Sequence, residues 1–140
     1  MPWLFVLNNA EAARWVVKNR RMAFREGIRT NRLARGDGFA LYVTAGALRG
    51  EPRIVAIGTL AGRPGSDTAE VAGREFTKSC PLRIEASRDP LDSGLPFRPL
   101  IERLRFIKHK HAWSSSLYRT IVEIPEDDFE MMSAEFKKLP

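Results

Sequence analysis

Apolar and polar positions along the chain follow two periods, and the period changes mark the elements. A strand is expected at Trp3–Leu7, where five apolar residues of β-favouring type run together. Asn8 and Asn9 follow as candidate N-caps for a helix over residues 10–18. Ala10, Ala13 and Val17 fall on one face of that helix with Val16 beside them, and Arg14 and Lys18 fall on another. The turn signal RGDG introduces a strand over residues 39–44, and RIVAIGTLAG from Arg53 gives another, with Ile54, Ala56 and Gly58 alternating against Val55 and Ile57. These two strands read as an antiparallel pair joined by AGALRGEP. The last helix has the clearest ends: Pro125 at its start, Glu126, Asp127 and Asp128 in the first turn, Lys137 and Lys138 in the last. Phe129, Met132 and Phe136 at i, i+3, i+7 make its core stripe.

The intervening stretches are less regular. Residues 20–30 show no period, so a loop is expected, with Met22 and Phe24 set among Arg20, Arg21, Arg25 and Arg29. Apolar side chains in a basic loop are either plugs for the core below or platforms for a base. Residues 61–73 are small, polar and Gly-rich; residues 74–76 and 82–86 offer two short strands broken at Pro81. Residues 87–99 read as a Pro-rich connector, and Pro99 can start a short helix over residues 100–105. A final strand is expected within residues 118–124, firmest from Ile121. Residues 104–129 combine core anchors at Leu104, Phe106 and Ile107, a basic run at Lys108–Lys110, and Trp113 beside three serines, an arrangement that suits an aromatic wall next to a polar pocket.

Composition narrows the class. A chain of 140 residues with 44% hydrophobic and 29% charged residues is expected to form one domain with one core. No apolar run approaches the roughly 20 residues of a membrane span, and the first residues lack the basic start of a secretory signal. A lone Cys80 excludes an internal disulfide, and no Cys/His spacing fits structural zinc, so a reducing cytoplasm is the expected setting. The net charge of +6 is segregated: residues 14–35 hold eight Lys/Arg against Glu26, residues 98–119 hold six against Glu102, and the segment from Thr120 onward is acidic. Such segregation is either a phosphate-binding face or a solvated one.

Catalytic chemistry finds little support, and neither a metal nor a cofactor is expected. His109 and His111 would share a face if extended, but lysines flank them and no further ligand is near in sequence. Ser114, Ser115 and Ser116 lack a nucleophile elbow, and Asp127 and Asp128 are better explained as helix N-terminal charges than as paired acids.

The order of Trp3–Asn9, RGDGFALYVT, IVAIGTLAG and LRFIKHKHAW...IPEDDF resembles an EVE domain, of the PUA-like superfamily that includes the YTH modified-base readers. The resemblance spans most of the chain. It implies an α+β fold: a single-domain PUA-like mixed β-barrel of about five to six strands with flanking helices over residues 1–140, and a pocket that accepts a modified base flipped from DNA or RNA. By position it implies Asn8 and Asn9 as base-edge contacts and Met22, Ala23 and Phe24 as the segment that supplies an aromatic wall. The YTH readers have Trp in that segment, whereas Phe24 is the aromatic here. Phe76 or Trp113 is expected as a second wall, Thr44 at the pocket mouth, and Arg21, Arg25, Lys108 and Lys110 on phosphates. The expected partner is nucleic acid carrying a modified base, with a separately encoded effector as a further one. The alternative is a module of the same fold whose pocket takes another small molecule or a protein.

Overall fold

A computed structural model describes residues 1–140. In chain order the elements are β1 (Trp3–Leu7), α1 (Ala10–Asn19), β2 (Arg21–Phe24), β3 (Gly38–Val43), β4 (Arg53–Leu60), β5 (Ala69–Val71), β6 (Arg74–Phe76), β7 (Lys78–Ser87), β8 (Leu95–Pro96), β9 (Ile121–Glu123) and α2 (Glu126–Lys137). The main sheet runs β2-β7-β4-β3-β1-β9, and β8 pairs additionally with β4. Only β1 and β3 are parallel within it. The sheet curls into a half-barrel, so the expected mixed α+β architecture with flanking helices is what the chain forms. β5 and β6 make a separate hairpin.

Alternation explains why the central strands are apolar throughout. Trp3, Phe5, Phe39, Leu41 and Val43 point to one face, where Ala13 and Val16 of α1 close a core. Leu4, Ala40 and Tyr42 point to the other, against Phe97, Leu100, Leu104 and Ile107 from the 3-10 turn at Arg98–Arg103 and the chain flanking it, and Met132 and Phe136 of α2. A strand covered on both sides gains from an apolar residue at every position, about 1.5–3 kcal/mol for each large side chain fully buried.

Several expectations are corrected by the structure. In β4 the alternation breaks: Leu41 pairs with Ala56 and Tyr42 with Ile54, leaving Val55 as an extra residue. That bulge places Ile54 and Ile57 on the same face, three residues apart, and Val55 with Ala56 on the other. Residues 21–24, expected as loop, form β2 against β7. The period was unreadable because Met22, Ala23 and Phe24 are all buried. β7 runs through Pro81 because partners change there: β2 pairs with residues up to Pro81, and β4 from Leu82 onward. Lys110–Leu117 forms 3-10 turns with His109 just before them, so the same-face placement His109 and His111 would have on a strand does not arise. The short helix is a 3-10 turn at Arg98–Arg103, and the last strand shrinks to Ile121–Glu123.

Candidate nucleic-acid interface

The site grows from the junction of β1 and α1. Asn9 caps α1, its side-chain oxygen accepting the Ala12 N–H at 3.0 Å, and exposed Asn8 precedes it. Parallel pairing of β1 with β3 brings Thr44 alongside, its N–H donating to the Leu7 carbonyl at 3.0 Å. β2 contributes Met22 and Ala23. From the other side comes the β5–β6 hairpin, whose turn holds Ala72 at φ 51° and Gly73 at φ 78°. That left-handed pair suits a tight two-residue hairpin and strains the alanine. The hairpin supplies Arg74 and Phe76, and residues 117–120 close the remaining edge. Together these segments surround a cavity of about 580 Å³.

Of the residues expected at the site, Asn8, Asn9, Met22, Ala23, Arg25, Thr44 and Phe76 line this cavity. The others lie elsewhere. The Phe24 ring is fully buried, packed edge-on against Phe5 at 5.8 Å, because β7 and the core cover both sides of β2. Trp113 belongs to the other core, its ring 5.9 Å from Phe97 with the Arg98 guanidinium 5.9 Å from its face. Arg21 is turned to Ser79, donating to its hydroxyl at 2.6 and 3.2 Å, and pairs with Asp67 at 3.6 Å. Lys110 caps the 3-10 turn before it, donating to the carbonyls of Ile101 and Leu104 at 3.0 and 2.5 Å. Lys108 is exposed and outside the cavity lining.

Four polar lining residues escaped the sequence reading: Arg74, Tyr118, Arg119 and Thr120. Arg74 lies beside the Gly-rich stretch, and Tyr118 and Arg119 were absorbed into an expected strand. The remaining sequence signal was a Tyr-Arg dipeptide at the end of the second basic run.

The electrostatics of the lining are one-sided. Arg25, Arg74 and Arg119 line the cavity with no Asp, Glu, His or Cys among the lining residues, and none of the three forms an ion pair. The site therefore offers positive charge, amides, hydroxyls and the Phe76 ring, with the Tyr118 ring in solvent at its rim, and holds neither a nucleophile–base pair nor metal ligands. Perturbed groups lie away from it. Burial pushes the Cys80 thiol up to about 11, helped by the Asp37 carboxylate, and burial raises the Tyr42 hydroxyl to about 12. Burial alone would raise Asp37; hydrogen bonds from the Trp3 indole at 2.8 Å and the Ala34 N–H at 3.0 Å, with the nearby N-terminal ammonium, hold it below the ordinary carboxylate range.

No protein-family model matches the chain. Over 109 residues it is 32% identical to a UPF0310 protein of Pyrococcus abyssi, covering 74% of this chain and 75% of the relative. A UPF0310 protein of Pyrococcus horikoshii is 31% identical over 111 residues, covering 73% and 74%. Among solved structures, the YTH domain-containing protein mmi1 in complex with RNA superposes with a TM-score of 0.66 at 10% identity, over 96% of this chain and 81% of that one. The YTH domain of the Zygosaccharomyces rouxii MRB1 protein in complex with N6-methyladenosine RNA gives 0.65 at 16% identity, over 99% and 89%. At such identities the likeness is one of fold, and the fold is YTH-like. No helix of the chain is long and apolar enough to cross a membrane.

Proposed function

The chain belongs to the UPF0310 family, and from that premise we propose that it is a non-catalytic module that binds nucleic acid carrying a modified base, such as a methylated one. The base enters the 580 Å³ cavity and phosphates meet the arginines around it. One observation carries the reading: Arg25, Arg74 and Arg119 surround a cavity that contains no carboxylate to neutralise them. Two neighbours in fold were solved with RNA, one of them with N6-methyladenosine RNA, which supports the same use of the same architecture. The EVE-domain resemblance, within the PUA-like superfamily, points the same way.

The chemistry fits a flipped base. Asn8, Asn9, Thr44 and Thr120 carry donors and acceptors suited to a base edge, and Phe76 supplies an apolar face. An added methyl gains about 0.8 kcal/mol on burial, and stacking adds about 1–3 kcal/mol per base. Flipping costs a few kcal/mol, so a single-stranded or distorted site is the preferred substrate. Any subsequent cutting or signalling falls to a separately encoded effector, in a cytoplasmic setting.

The test is fluorescence anisotropy with short RNA and DNA strands, plain and carrying different base modifications, across a salt series. Affinity should fall with salt, and Arg25→Gln, Arg74→Gln and Arg119→Gln should each flatten the slope of log affinity against log salt by about 0.7. Equal affinity for plain and modified strands defeats the modified-base reading; binding that ignores salt favours another small molecule or a protein in the cavity.

A further inference from the structure

Tyr118 is the one aromatic side chain the fold leaves in water, 76% exposed on the rim of the cavity. Its position is nevertheless fixed. Leu117 before it is buried, and the Thr120 carbonyl after Arg119 accepts the Val6 N–H at 2.9 Å, so two residues span two anchors. The Arg119 guanidinium stands 5.5 Å from the centre of the Tyr118 ring, and its Nε donates to the Tyr118 hydroxyl at 3.2 Å. Arg119 forms no ion pair, so its charge is open to a ligand.

A large apolar ring held in solvent forgoes the gain of burial, and here no broad apolar patch accounts for it: Met1 is the only other large apolar side chain that is exposed. A lone ring with a planar cation beside it suits one unpaired base, since every base has a π-face and every internucleotide link a negative charge. We infer that Tyr118 and Arg119 form an external platform: the base adjacent to the one in the cavity stacks on Tyr118, and Arg119 meets the phosphate joining the two. This rests on the nucleic-acid reading above and extends the site from one nucleotide to at least two. It also makes single strands the substrate at this edge, because a paired neighbour would keep its faces inside the duplex stack.

The test compares Tyr118→Ala and Tyr118→Phe with the unaltered chain on N6-methyladenosine 5′-monophosphate, on a single-stranded RNA about nine nucleotides long with that base at its centre, and on the same strand with abasic flanks. Tyr118→Ala should weaken the intact strand by about 5- to 100-fold and leave the mononucleotide within about twofold, while Tyr118→Phe stays close to the unaltered chain. Abasic flanks should weaken the unaltered chain by a similar factor and have no further effect in Tyr118→Ala. Equal loss on mononucleotide and strand would make Tyr118 a wall of the cavity, and a flank effect that persists in Tyr118→Ala would place the second base elsewhere; either overturns the platform alone. Strand binding that ignores the methyl group yet depends on Tyr118 overturns the modified-base reading and keeps the platform. Absence of strand binding overturns both.

Discussion

Asp128 is the residue whose removal should be felt most widely for its size. It sits in the first turn of α2 at 1% exposure, and its two oxygens accept the backbone N–H groups of Arg105 and Phe106, each at 2.9 Å. The bonds tie the last helix to the chain just before the 3-10 turns that lead to Tyr118. Hydrogen bonds to a charged acceptor contribute about 1.5–3 kcal/mol each. Asp128→Ala loses both and leaves two N–H groups without partners; the relieved desolvation of the carboxylate and some rehydration of these N–H groups offset part of this. A net loss of about 3 kcal/mol is expected. Asp128→Asn keeps one acceptor oxygen and should lose about half as much. The neighbouring Asp127 provides the contrast, because its pair with Arg105 at 3.0 Å is about 70% exposed on both sides. Asp127→Ala should cost less than about 0.5 kcal/mol. Urea unfolding at neutral pH, followed by tryptophan fluorescence, measures this: with a slope near 2 kcal/mol/M, the Asp128→Ala midpoint falls by about 1.5 M. A loss under about 1 kcal/mol, or identical losses for the Ala and Asn variants, refutes the account of Asp128 as a two-bond clamp.

Gly58→Ala should destabilise by at least about 3 kcal/mol in the same assay, because an added Cβ would lie 2.0 Å from the Arg83 carbonyl oxygen and 2.9 Å from the Phe39 ring, and the nearer obstacle is backbone; a change under about 1 kcal/mol would mean β4 and β7 separate freely there. Asp37 governs an acid limb. Its folded carboxyl titrates below the unfolded value of about 3.9, so its contribution is complete above that pH and is lost as pH falls through the folded value. Urea midpoints taken from neutral pH down to about pH 3 should therefore fall more steeply for the unaltered chain than for Asp37→Asn, and parallel curves would remove Asp37 from the acid response.

The legibility of this fold in sequence tracked how many faces of an element meet water. α1 and α2 were readable to within a residue or two because each has a wet face and charged ends. β1 and β3 were readable as dense apolar runs. β2 was not, since four residues buried almost throughout carry no alternation, and the β4 bulge defeated a strict period of two. At the cavity, Asn8 and Asn9 are the positions the EVE-domain resemblance implied and Thr44 was picked out at a strand end; all three are among the lining residues. Phe24, taken from the resemblance, and Trp113, read as a wall beside the serines, lie elsewhere, because only packing reveals that Phe5 and Phe97 already cover them.

The same logic divides the cations, and it explains why charge density along the chain separates them poorly. Lys110 answers the carbonyls at the end of a 3-10 turn, Arg53 donates to the Gly94 carbonyl at 2.7 Å, and Arg98 to that of Gly50 at 2.6 Å. Lys110 and Arg98 fall in a basic run that looks like a phosphate track, yet both donate to carbonyls within the fold. Arg25, Arg74 and Arg119 come from three segments far apart in sequence, only Arg74 outside the two basic runs, and they line one cavity because β2, the hairpin and residues 117–120 surround it. On the proposed reading, a phosphate bound there would meet three arginines with no carboxylate among the lining residues to compete for them. The proposed affinity for a polyanion at this face rests as much on the acids missing from the lining as on the arginines present.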